Sequence, residues 1–135
     1  METNTVDSDH WEAYRATTYE ALGDGEVLWS VRVDEPAPVD GPMAYITSDN
    51  PRSEQREDEE NFARRAELKD ELDASFREVT AGRSVAADGS WPDEFGFWVR
   101  PVARDEARII GEKYKQNAVL FVDENRAVQL VACRR

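Results

Sequence analysis

The chain has 135 residues, 40% of them hydrophobic and 34% charged, with four tryptophans, four tyrosines and five phenylalanines. That suits one folded domain with a single core and excludes a disordered chain. The formal charge of −12 argues against binding nucleic-acid phosphates or an anionic membrane, and the single cysteine, Cys133, excludes an intrachain disulfide or a thiolate metal site. No apolar run approaches the ~20 residues of a membrane span. Met1-Glu2-Thr3-Asn4 has neither the basic start nor the apolar stretch of a signal peptide, so the expected location is the cytoplasm.

In chain order, residues 1–9 are polar and read as a flexible tail. From His10 to Leu22 the spacing of Trp11, Tyr14, Thr18 and Leu22 predicts a helix, although Thr17-Thr18-Tyr19 also suits a strand. Val27, Trp29, Val31 and Val33 alternate with Leu28, Ser30 and Arg32, the pattern of a half-buried strand over 26–33. Three prolines and a glycine make 34–42 a loop. Ala44-Tyr45-Ile46 is a short apolar strand, ended by the turn Thr47-Ser48-Asp49-Asn50-Pro51, because proline fixes its own φ and lacks a donor.

A long charged helix is expected to begin near Ser53 and run to Val79. At ~100° per residue, Leu68, Leu72, Phe76 and Val79 share one stripe, and its N-terminal continuation passes through Arg65, Asn61, Asp58 and Glu54. The core-facing side thus turns polar as it nears Asn50. Next come a short strand over 83–87, the turn Asp88-Gly89-Ser90 and a strand over Phe95–Val99. A second main helix spans Arg104–Lys115, with a left-handed cap expected at Asn117. A hairpin closes the chain, with strands over 118–122 and 127–132. This order predicts an α+β fold: a mixed, largely antiparallel sheet with two main helices packed on one face.

No phosphate loop, nucleophile elbow, zinc-protease helix or Cys/His set appears, so no metal or cofactor is implied. The run Tyr45-Ile46-Thr47-Ser48-Asp49-Asn50-Pro51, with Asn61, Arg65, Leu68 and Leu72, resembles the core motif of a family of small bacterial proteins, domain of unknown function 3293 (DUF3293). That family reads I-T-A/S-x-N-P, then E-N, then R-x-x-L-x-x-x-L. An aspartate-glycine turn follows, then W-x-E, an apolar strand and a helix ending F/Y-G-Q-N-A. The later pieces correspond here to Asp88-Gly89-Ser90-Trp91, Glu94, the strand 95–99, and Tyr114-Lys115-Gln116-Asn117-Ala118. Lys115 stands where the pattern has glycine, and one extra residue precedes Glu94. The resemblance implies one DUF3293-like α+β domain over 10–135, and it carries no activity.

What the resemblance does select is a set of polar residues: Thr47, Asn50, Asn61, Arg65, Trp91, Glu94, Gln116 and Asn117. If strands 95–99 and 118–122 run antiparallel to the strand ending at Thr47, these groups gather at one edge of the sheet. One reading is a site for a small polar or anionic, nucleotide-like ligand, with Arg65 gripping an anion, the amides reading polar edges and Trp91 stacking. The other is a structural network in which Arg65 pairs with Glu94, inside an acidic protein–protein interaction module acting as a regulator or inhibitor. Glu94 is the one candidate general base; without a nucleophile or metal cluster it speaks against an enzyme.

Overall fold

A computed structural model describes residues 8–51, 54–87, 89 and 91–133, which form three helices and seven strands. In chain order these are α1 (Ser8–Ala16), β1 (Thr18–Gly23), β2 (Glu26–Val31), β3 (Met43–Thr47), α2 (Asp58–Ser75), β4 (Glu78–Val85), β5 (Glu94–Arg100), α3 (Arg104–Lys113), β6 (Ala118–Val122) and β7 (Val128–Ala132). The strands make one seven-stranded sheet in the order β2-β1-β4-β5-β3-β6-β7. Every ladder is antiparallel, so the α+β class holds while the expected mixture of strand directions gives way to a curled antiparallel sheet.

Two elements differ from expectation for the same reason. The helix expected over 10–22 stops at Ala16, and β1 takes Thr18–Gly23, paired on both sides by β2 and β4. Thr17 closes the helix by donating its hydroxyl to the Ala13 carbonyl at 2.7 Å. Likewise α2 ends at Ser75, its C-cap Phe76 donating N–H to the Leu72 carbonyl, and Val79 belongs to β4 rather than to the helix. In both places β-branched and aromatic residues carry spacing compatible with a helix, and the ladders decide between the two states. Gly82 is thus a strand residue under an aromatic ring: a Cβ there would lie 2.8 Å from Tyr45 Cε1.

α2 starts at Asp58 with Glu57 as N-cap, later than expected; Ser53 lies outside the described residues. So do residues 1–7 of the expected tail, whereas Ser8 already opens α1, and so do Asp88 and Ser90 of the turn around Gly89. α3 ends at Lys113, and the left-handed residue after it is Lys115 (φ 62), not Asn117. The Gln116 N–H then returns to the Gly111 carbonyl at 2.9 Å. Glycine suits this conformation best, which explains the glycine of the family pattern at this place.

The two-residue period of the strands divides the sheet between two cores. Ala44, Ile46, Phe97, Val99, Val119 and Phe121 join Leu68 and Leu72 of α2 and Ala107, Ile110 and Tyr114 of α3. Met43, Tyr45, Trp98, Leu120 and Val122 alternate with these and meet Tyr19, Ala21 and Val31, with Val33 and Ala37 from the loop after β2. Tyr45 packs on both Tyr19 and Trp98, with ring centroids 5.7 and 5.4 Å apart. No described helix is long and apolar enough to cross a membrane.

Candidate functional site

β3 is buried along its whole length and lies between β5 and β6, antiparallel to both. The end of β3 therefore meets the beginnings of β5 and β6. That topology places Thr47, Glu94 and Asn117 at the same edge of the sheet. Thr47 Oγ1 donates to the Phe95 carbonyl at 2.7 Å and accepts the Asp49 N–H at 3.0 Å, which turns the chain back across β5.

The turn after β3 is a buried polar knot. Asn50 adopts the left-handed conformation (φ 47), which asparagine tolerates better than most residues. Its backbone N–H donates to Asn61 Oδ1 and its own Oδ1 accepts from Asn61 Nδ2, both at 2.9 Å, a reciprocal pair locking the turn to the first turn of α2. Asn50 Oδ1 also accepts the Arg56 N–H, and Asn50 Nδ2 donates to Glu94 Oε2 at 2.9 Å. With every polar group of the side chain engaged, few other residues suit this position.

Arg65 is not the partner of Glu94. Its Nε and Nη2 reach Asp49 Oδ1 and Oδ2 at 3.2 and 2.8 Å, and Asp49 Oδ2 also accepts the Phe95 N–H at 3.0 Å. The Arg65 guanidinium lies 5.0 Å from the Phe95 ring centroid. Arg64, one residue before, donates to the Ser48 and Tyr114 carbonyls at 2.8 and 2.6 Å. Gln116 Nε2 donates to the Asp49 carbonyl at 3.1 Å. The turn is thus held from α2 by Asn61, Arg64 and Arg65, and from the segment after α3 by Gln116.

On the other side of this knot is a cavity of about 320 Å³. Of the residues selected from the sequence, Thr47, Asn50, Trp91, Glu94, Gln116 and Asn117 line it, while Asn61 and Arg65 do not. The rest of the wall is largely apolar and aromatic, with Tyr14, Tyr19 and Tyr45 prominent. α1 supplies one side. It is tied down by Asn117 Nδ2 donating to the Tyr14 hydroxyl (3.2 Å) and by the Tyr19 hydroxyl donating to the Tyr14 carbonyl (2.9 Å). Asp49 and the three tyrosines are present in the sequence patterns but were not among the residues selected from them as the site. Asp49 occupies a variable place in the family pattern. Tyr45 could have been found from the strand period, which points it away from Ala44 and Ile46.

Glu94 is the only charged side chain among the described lining residues. Its Oε2 accepts from Asn50 Nδ2 at 2.9 Å and from Trp91 Nε1 at 2.7 Å, while Oε1 has no hydrogen-bond partner among the described residues. Burial pushes its pKa up from the usual carboxylate range; the two hydrogen bonds pull it down, and the Asp49 charge adds a smaller upward push. Burial raises the Tyr45 and Tyr19 hydroxyls too, with Glu94 contributing to both, so they stay phenols at neutral pH. Among the described residues no group of three or more His, Cys, Asp or Glu side chains is arranged to hold a metal.

Fold and site together define an antiparallel α+β domain with an aromatic cavity at the end of β3. The chain belongs to the family described as "Protein of unknown function (DUF3293)", which matches it over residues 46–119, from β3 to the start of β6. No curated protein and no solved structure matches the chain.

Proposed function

We propose that the protein is a binding domain for a small organic molecule, held in the cavity beside Glu94 at the end of β3. The observation that carries this reading is Glu94 itself. A carboxyl group in a largely apolar wall, with one oxygen unpartnered among the described residues, stands where a ligand would complete its hydrogen bonding. In this reading α2 and α3 cover one face of the sheet and leave the end of the other face to the ligand. Asn61 and Arg65 keep the turn in shape and do not touch the ligand, so the anion grip expected of Arg65 is dropped. An anionic ligand also loses support, because the described lining contains no arginine, lysine or histidine.

The test is a thermal-shift and titration series of small aromatic compounds, neutral and charged, against the protein and an Ala13→Trp variant. Ala13 is an exposed α1 residue at the cavity wall, so a bulky side chain there fills space without burying a new group in the core. Millimolar or tighter binding, weakened about tenfold or more in the variant, is the expected result. If no compound of any charge binds at millimolar concentration, the reading fails.

A second reading, an acidic interaction module, draws on a different surface. Phe62 on α2 is 69% exposed and follows the exposed residues Asp58, Glu59 and Glu60. A partner recognising that patch would be lost with Phe62→Ser and indifferent to Ala13→Trp.

A further inference from the structure

Resting on the reading of the cavity as a binding site, we propose that its ligand is an organic cation with an apolar or aromatic body, an ammonium or protonated nitrogen base whose N–H sits on Glu94 Oε1. Three observations converge on this class. The first is charge. Glu94 forms no ion pair among the described residues, whereas Asp49, the next carboxylate, is neutralised by Arg65 at 2.8 Å. A carboxylate withdrawn from water without a counter-charge is unfavourable, and a cationic ligand supplies the missing charge.

The second is the direction of the hydrogen bonds. An anion needs donors, and the donors around the cavity are already committed. Asn50 Nδ2 and Trp91 Nε1 point at Glu94 Oε2, and the Tyr45 hydroxyl donates to the Glu94 carbonyl at 3.1 Å. Thr47 Oγ1 donates to the Phe95 carbonyl, and Gln116 Nε2 to the Asp49 carbonyl. What the wall offers a ligand is an acceptor. The third is the aromatic lining, since Tyr14, Tyr19, Tyr45 and Trp91 carry ring faces that attract cations electrostatically.

Protonation of Glu94 should govern this binding. The groups facing it are Asp49 with its Arg65 counter-charge on the turn and α2, Tyr45 on β3, Tyr19 on β1, and Ser84 on β4, whose hydroxyl lies 3.5 Å from the Glu94 carbonyl. None of the groups on the strands supplies a positive charge.

The experiment compares benzylammonium, benzyl alcohol and benzoate, three probes of one shape and different charge, by calorimetric titration of the full chain. Benzylammonium should bind about tenfold or more tightly than benzyl alcohol at neutral pH, and benzoate should not bind. In Glu94→Gln the advantage of the cation over benzyl alcohol should vanish. Should that variant fail to fold, the unaltered protein decides: the cation's advantage should shrink as pH falls through the carboxylate range. Equal binding of cation and alcohol, or a preference for benzoate, overturns the inference and leaves the binding-site reading standing. Failure of all three probes, with the wider compound series also failing, removes both.

Discussion

The ion pair between Arg65 and Asp49 can be tested by changing Arg65 to methionine. The Asp49 side chain is 3% exposed and takes two of its hydrogen bonds from Arg65, leaving the Phe95 N–H as its remaining donor when the arginine is removed. Removing one partner of a buried pair costs about 3–5 kcal/mol because the other charge stays behind. The Arg65 side chain is 27% exposed, so water can follow the lost guanidinium and partly rehydrate Asp49. That places the expected loss near the lower bound, about 3 kcal/mol, out of the roughly 5–15 kcal/mol that stabilises a domain. Adding Asp49→Asn removes the stranded charge and keeps an acceptor for the Phe95 N–H, so the double variant should recover about 1–3 kcal/mol. Adding Glu94→Gln instead should give clearly less coupling, since Arg65 makes no contact with that carboxylate. Urea melts of the single and double variants measure all three quantities. A loss below about 1 kcal/mol for Arg65→Met, or equal rescue by either second change, would refute the pairing argument.

Glu94→Gln should raise stability at neutral pH. A carboxyl whose folded pKa is raised binds its proton more tightly folded than unfolded, so stability falls as pH rises from the ordinary value, about 4.3, through the raised one. Glutamine removes that loss and still offers an oxygen to Asn50 and Trp91, so the variant should melt higher than the parent at neutral pH and together with it below about pH 4; a lower melting temperature at neutral pH would contradict the burial argument. Lys115→Gly should stabilise by about 0.5–1 kcal/mol in the same melts. The left-handed φ of 62 costs a lysine about 1–2 kcal/mol, and the extra freedom of glycine in the unfolded chain returns part of the gain; a loss of stability would show that the Lys115 side chain makes a contact worth more than the backbone relief.

Where expectation and structure agree and where they part has a common cause. β5, β6 and α3 were legible within two residues at each end, because proline, glycine and a steady period bound them. At 17–23 and 76–82 the local pattern admits helix and strand alike, and the choice falls to pairing partners distant in the sequence, such as Val85 for Thr18 and Arg100 for Glu78.

For the site, the motif residues Thr47, Asn50, Trp91, Glu94, Gln116 and Asn117 were recognisable by type and order, and the antiparallel placement that would collect them could be stated as a condition. What the amino-acid sequence by itself determined is local: the strand into Asn50, the proline-bounded turn and the polar continuation of the α2 stripe. The proline after Asn50 predicts an extended conformation for it, and the left-handed φ of 47 came only with the hydrogen bonds to Asn61. Which carboxylate Arg65 would neutralise was decided only in the tertiary structure. Asp49 and Glu94 both stand at the end of the sheet where β3 meets β5, and the burial of Asp49 on the side of α2, with the Phe95 N–H beside it, selects it as partner. Glu94, displaced to the opposite side of the same strand edge by the two-residue alternation of β5, is left facing the cavity without a counter-charge.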